Sequence, residues 1–274
     1  MKKLLVPTDF SINAENALKI AAQFAKKNNC EIHLLHMLEI PSQMNDAINQ
    51  AVPIPQIMNF IEKSKENLQN ETQKSYLDGI SVCHSIDFKE PSVGILSYSE
   101  KYDIDLIVMG SHGVTGLDEI LIGSNTEKIV RLSHIPVLVV KDDSFEFENP
   151  TFVFASDFSN ETKPSFKKMI QFANTFNAKL SLVTICTPNS FKSTAVAQKI
   201  MTDYVAEFEI NKYSTHIYND TNIEKGILNF TKETNADLIG LCTHGRTGLV
   251  HFFTGSIGED VANHAKRPVI TFRI

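Results

Sequence analysis

Residues 109–126 read Met-Gly-Ser-His-Gly-Val-Thr-Gly-Leu-Asp-Glu-Ile-Leu-Ile-Gly-Ser-Asn-Thr, and the glycines in this stretch are spaced for anion chemistry. The apolar run Asp105-Leu-Ile-Val-Met109 before them suits a buried strand. Ser124, with Glu127 three residues on, is a capping-box signature that opens a helix. Gly110, Gly113 and Gly123 are therefore expected in a loop between a strand end and a helix start. Such a loop can converge several backbone N–H groups on one point, and the helix adds the positive end of its dipole. Glycine permits positive φ and the close approach of a phosphate. The spacing Gly-x2-Gly-x9-Gly-Ser is not a Walker A loop, because no Lys-Ser/Thr pair follows, and it is not a dinucleotide fingerprint.

The elements that would position this loop follow from hydrophobic periodicity. Strands are expected at 3–7, 31–38, 80–87, 105–109 and 135–140. Helices are expected at 13–27, 56–77, 92–101 and 124–132, and Pro41, Pro53 and Pro55 break the segment before the long one. Alternating strands and helices predict right-handed crossovers and a parallel, doubly wound sheet. Ligands bind such sheets at the carboxyl ends of the strands, where the winding reverses.

The 274 residues carry 42% hydrophobic side chains, enough for a full core, and a net charge of −6. An acidic chain without basic runs argues against nucleic acid as the partner. The apolar start after Met1 is too short for a signal peptide or a membrane span, so a cytoplasmic protein is expected. Cysteines 30, 83, 186 and 242 form no Cys-x-x-Cys pair and are expected as free thiols. His33 and His36 stand three apart on a strand and point to opposite faces, and no cluster has zinc spacing, so no metal site is expected.

The acidic segment 142–150 reads as a linker, after which the pattern begins again. Thr151–Ser159 lies over Lys3–Ser11 at an offset of 148, whereas Gly226-Ile-Leu, Asp237-Leu-Ile and Pro268-Val lie over Gly94-Ile-Leu, Asp105-Leu-Ile and Pro136-Val at 132. The second copy is thus shorter, by the Pro-interrupted stretch and part of the long helix. Residues 110–124 and 242–256 agree at seven of fifteen positions, where chance gives roughly one. The chain divides into domains at 1–141 and 151–274.

Pro7-Thr8-Asp9 after the first strand, the Leu34-Leu35-His36-Met37 strand end and the glycine loop together resemble the universal stress protein family, and the likeness recurs in both copies. The resemblance implies two flavodoxin-like sheets of order 3-2-1-4-5, paired through their fifth strands as a pseudo-dimer within the chain, with a homodimer left open. It implies an ATP-binding regulatory protein of the stress response, with Mg2+ an optional companion and at most slow hydrolysis. Carried over by motif, Asp9 and Met37 contact base and ribose beside Pro7 and Thr8. Met109, Gly110, His112, Gly113, Gly123, Ser124 and Asn125 surround the phosphates. A weaker second site comprises Asp157, Gly245, Gly255 and Ser256. There Cys242 replaces the first glycine, Ala155-Ser156 replaces Pro7-Thr8, and Arg246 and His251 are new.

Simpler readings stand beside these. Ser124 and Ser256 can serve only as N-caps. Asp9 and Asp157 can serve only to fix a loop. His112 and His244 suit loop residues bonded to backbone better than an acid or base, and no catalytic residue is assigned. A partner-binding stress protein that uses no nucleotide is the alternative function. An enzyme of the adenylyl-transferring pyrophosphatase type is disfavoured, because the first loop has no glycine.

Overall fold

The computed structural model describes residues 1–38, 54–112, 122–141, 148–243 and 255–274. Strand alternation sets its layers. In β1 (Lys3–Thr8), Leu4 and Val6 enter the core on one face of the sheet and Leu5 the core on the other. The remaining strands are β2 (Glu31–Met37), β3 (Val82–Asp87), β4 (Leu106–Gly110), β5 (Val137–Val140), β6 (Thr151–Ala155), β7 (Lys179–Cys186), β8 (Tyr213–Asn219), β9 (Leu238–Thr243) and β10 (Val269–Arg273). They form one ten-stranded sheet of order β3-β2-β1-β4-β5-β10-β9-β6-β7-β8. Each half is doubly wound with its strands in the order 3-2-1-4-5, and all pairs are parallel except β5 with β10.

The crossover helices of the first half are α1 (Ile12–Asn28), α2 (Ile54–Thr72), α3 (Pro91–Lys101) and α4 (Ser124–Leu132). Those of the second are α5 (Lys163–Thr175), α6 (Thr194–Val205), α7 (Ile223–Glu233) and α8 (Gly255–His264). Local chemistry sets the ends of α1. The Ser11 hydroxyl accepts from the Ala14 N–H, and Asn29 closes the helix in the left-handed region. Residues of α1, α2, α5 and α6 belong to the core on one face, and residues of α3, α4, α7 and α8 to the core on the other. In the first half the crossovers change face after β3, so the winding reverses between β1 and β4.

The fifth strands do pair within the chain, antiparallel, with Val269 opposite Val139 and Thr271 opposite Val137. This buries both edges that would otherwise template further pairing. The halves also meet on each face of the sheet. Phe24 of α1 stacks on Phe172 of α5 at 5.7 Å, and the Ile122 N–H donates to Asn263 Oδ1 at 2.6 Å. The cation ending each half reaches a carbonyl in the last turn of the other half's helix. Lys141 donates to the Asn263 carbonyl, and Arg273 donates to that of Leu132 at 2.7 Å.

Several expectations need correction. Gly110 closes β4 rather than lying in the loop. The segment 56–77 is α2 followed by a separate 3-10 turn at Ser75–Leu77. Strand β5 begins at Val137, just after Pro136, which has no N–H to offer a ladder. The shortened helix of the second copy is α6, with 12 residues against 19 in α2. Residues 39–53, and with them Pro41 and Pro53, lie outside the described residues.

Candidate functional site

Strand β1 meets β4 at Leu4↔Leu106 and Leu5↔Ile107 and then leaves it, while pairing with β2 runs on to Thr8↔His36. The split opens at Pro7, which has no N–H to give to a ladder. In the second half β6 stays beside β9 as far as Ala155↔Leu241, the position that corresponds to Pro7. In the first half the strands therefore part earlier at the crevice where the winding reverses.

That crevice holds a cavity of about 370 Å3. Pro7, Thr8 and Asp9 line it from the β1 end and Met37 from the end of β2. Met109, Gly110 and His112 line it from β4, and Gly123, Ser124 and Asn125 from the start of α4. Every described residue singled out in the first copy thus reaches one space. Gly113 lies outside the described residues. Ala14, Pro91, Ile95 and Thr126 also line the cavity and carried no signal in the sequence. Only the crossover of α3 over the crevice brings Pro91 and Ile95 there.

Two glycines are required by neighbouring protein atoms. A Cβ on Gly110 would lie 2.7 Å from the carbonyl carbon and oxygen of Asn13, so this glycine lets the first turn of α1 press against the end of β4. A Cβ on Gly94 would lie 2.1 Å from Met37 Cε, so the glycine in α3 makes room for the thioether that lines the cavity. The device recurs in the second half, where a Cβ on Gly226 would lie 2.5 Å from Ile185 Cγ2.

Gly123, not Ser124, is the N-cap of α4, and Ser124 is its first helical residue. The capping-box expectation is overturned because Gly123 already supplies the extended backbone, at φ −62° and ψ 148°, that the cap position needs. The first-turn N–H groups at 124–126 lack acceptors within the helix, and these residues line the cavity. The turn is anchored by Thr126, whose hydroxyl donates to the Gly110 carbonyl at 3.0 Å. In α8 the backbone of Ser256 also falls inside the helix, which excludes it as an N-cap.

The first loop is a nested turn. Thr8 Oγ1 accepts from the Phe10 N–H at 3.0 Å and Asp9 Oδ1 from the Ser11 N–H at 3.1 Å, which holds Phe10 at φ 64°. Ser156 and Asp157 accept from Phe158 and Ser159 in the same way, with Phe158 at φ 56°. The change from Thr8 to Ser156 therefore preserves the turn, and each Asp fixes its loop whatever else it contacts.

His112 Nδ1 lies 3.0 Å from the Ser111 hydroxyl, a side-chain rather than a backbone partner, and its buried Nε2 has no hydrogen bond among the described residues. Burial, then the nearby Lys141, lowers its pKa, so the ring is neutral at pH 7. Lys141 is itself lowered to about 8 by burial. At the mouth, Glu90 caps α3 through the Val93 N–H and pairs with Lys128 at 3.1 Å. The Ser92 hydroxyl, with Lys128 and Val93, holds its carboxyl down to about 2.

In the second half, Cys242 does not stand at a turn, as its sequence position suggested. It lies within β9, 2% exposed, and burial pushes its thiol up to about 12. Room for this side chain comes from a 3-10 turn at Asn160–Thr162, which replaces the first turn of the helix and delays α5 to Lys163. Gly245, His244, Arg246 and His251 lie outside the described residues. All four cysteines are free thiols, and among the described residues no helix is long and apolar enough to cross a membrane.

A profile of the "Universal stress protein family" matches residues 1–141 and again 149–273. Universal stress protein MJ0577 of Methanocaldococcus jannaschii is 35% identical over 153 residues, covering 51% of this chain and 94% of its own length. Universal stress protein Slr1230 of Synechocystis is 23% identical over the whole of both chains. A crystal structure of a universal stress protein from Archaeoglobus fulgidus superposes with a TM-score of 0.77 at 24% identity, covering 99% of this chain and 98% of its own, and so shares the fold. With each half matched separately and the tandem order found in a full-length relative, this chain belongs to the universal stress protein family.

Proposed function

We propose that the first half binds an adenine nucleotide, ATP foremost, and that the protein acts in the cytoplasm as a nucleotide-responsive regulator of the stress response. The observation that carries this reading is the convergence of Pro7–Asp9, Met37, Met109, Gly110, His112 and Gly123–Asn125 on one cavity of about 370 Å3. That is an ordinary size for a small-ligand site. Its apolar lining, Pro7, Met37, Pro91 and Ile95, suits a purine face. The start of α4 supplies N–H donors and a positive dipole end for phosphates. His112 Nε2, buried and without a partner among the described residues, adds a polar group.

No lysine or arginine is among the described residues lining the cavity, so nothing there clamps a γ-phosphate as phosphoryl transfer requires. Hydrolysis is accordingly slow. Heat denaturation of the purified chain, followed by chromatography, is expected to release adenine nucleotide, and calorimetry to show saturable ATP binding. No released nucleotide and no binding heat up to millimolar ATP would rule the reading out. That result would favour a partner-binding protein, for which the exposed Met58 and Phe60 of α2 are the specific support.

A further inference from the structure

Strand register brings together three side chains that the nucleotide reading does not use. Glu31 and His33 stand two apart on β2 and share a face. His33 pairs in register with Cys83 on β3, the outermost strand. The carboxylate, imidazole and thiol donor atoms all lie within 4.8 Å of one another, the sole such cluster among the described residues. It lies toward the amino end of β2, about 13 Å (His33) to about 20 Å (Glu31) along the strand from Met37 at the crevice.

We propose that Glu31, His33 and Cys83 bind a zinc ion, with the fourth position left to water. The donor set of one carboxylate, one imidazole and one thiolate is one that borderline-soft Zn2+ accepts. The second observation is the state of His33. The residue is 5% exposed, and among the described residues its Nε2 has no well-formed hydrogen bond, facing Glu31 Oε2 at 3.5 Å. Its Nδ1 is held 3.1 Å from the Tyr98 hydroxyl. A ring fixed through one nitrogen, with the other facing a carboxylate and a thiol close by, is the arrangement of a metal-ligating histidine. Tyr98 is in turn 3.4 Å from the Ser85 hydroxyl.

Binding forms the Zn–S bond and releases the Cys83 proton to solvent. Lys3 is the nearby opposing charge, and its ammonium donates to the Tyr102 carbonyl at 2.9 Å. The carboxylate of Glu31 is 38% exposed, which gives the ion a path in and leaves the water position facing solvent.

The test uses the full chain stripped with chelator and titrated with Co2+ as a spectroscopic probe. The expected result is a thiolate-to-cobalt charge-transfer band, bleached by one equivalent of Zn2+ and absent in Cys83→Ser. The band should persist in Cys186→Ser, which alters a cysteine far from the cluster. Tyr98→Phe, a positioning change, should keep the band and weaken affinity roughly tenfold to a hundredfold. As a measurement on the unmutated chain, Zn2+ should slow alkylation of Cys83 by iodoacetamide, mapped by mass spectrometry, and chelator should restore it. No band in the wild type, an undiminished band in Cys83→Ser, or Cys83 alkylation indifferent to Zn2+ would overturn the proposal.

Discussion

Gly94 and Gly110 show how one missing methyl can serve different ends. At Gly110 the obstructing atoms are the Asn13 backbone, which cannot step aside. Gly110→Ala is therefore expected to cost about 1–3 kcal/mol of stability, read as a lower urea midpoint. At Gly94 the obstructing atom is the far end of a methionine, which can rotate. Gly94→Ala should leave the melting temperature nearly unchanged and push Met37 into the cavity, weakening ATP binding by roughly tenfold, about 1.4 kcal/mol. Equal effects of the two substitutions on stability would refute this division. The anion-loop pattern singled out Gly110 for its phosphate-binding potential, whereas its nearest constraint is helix α1.

Among the elements, helix α3 carries the clearest pH dependence. Glu90 caps its first turn and ties it to α4 through Lys128, and its carboxyl falls from 4.5 to about 2. A depressed carboxylate stabilises fully above its unfolded pKa, and the contribution is lost as pH falls through the folded one. Glu90→Ala is expected to cost about 1 kcal/mol at neutral pH, as a lost N-cap does. The gap from wild type should close as pH drops from 4.5 towards 2, and a gap that persists at the acid end would contradict the assignment. The element boundaries nearest the site were the least legible in the sequence. The Ser-x-x-Glu pattern placed the cap of α4 at Ser124, one residue late, because a glycine with extended backbone caps as well as a serine and leaves no side-chain signature.

For the whole molecule, the antiparallel β5–β10 seam and the shared cores on both faces imply that neither half is independent. Phe24 packs on Phe172 and Phe176 across the seam. Phe24→Ala should cost about 3–5 kcal/mol and keep a single unfolding transition followed by circular dichroism. Two resolved transitions in the wild type would show that the halves fold separately. The second half differs from the first chiefly at the switch point. There β6 stays paired with β9, and Cys242 fills the space that Gly110 leaves to α1.

By itself the sequence determined the duplication, the alternation of strands and helices, and the residue types that could meet at the strand ends. Those follow from periodicity and turn chemistry, which are local. The family resemblance added the strand order. Tertiary structure decided what depends on register and close approach. It decided that β1 parts from β4 at Pro7, that α3 brings Pro91 and Ile95 over the crevice, and that Asn13 rather than a ligand forbids a side chain at Gly110. The zinc cluster shows the same limit. Spacing along β2 correctly separated His33 from His36 onto opposite faces, yet Cys83 lies fifty residues further on. Only the hydrogen-bonded register of β2 with β3 sets it beside His33, because pairing between distant strands is fixed by how the whole sheet closes.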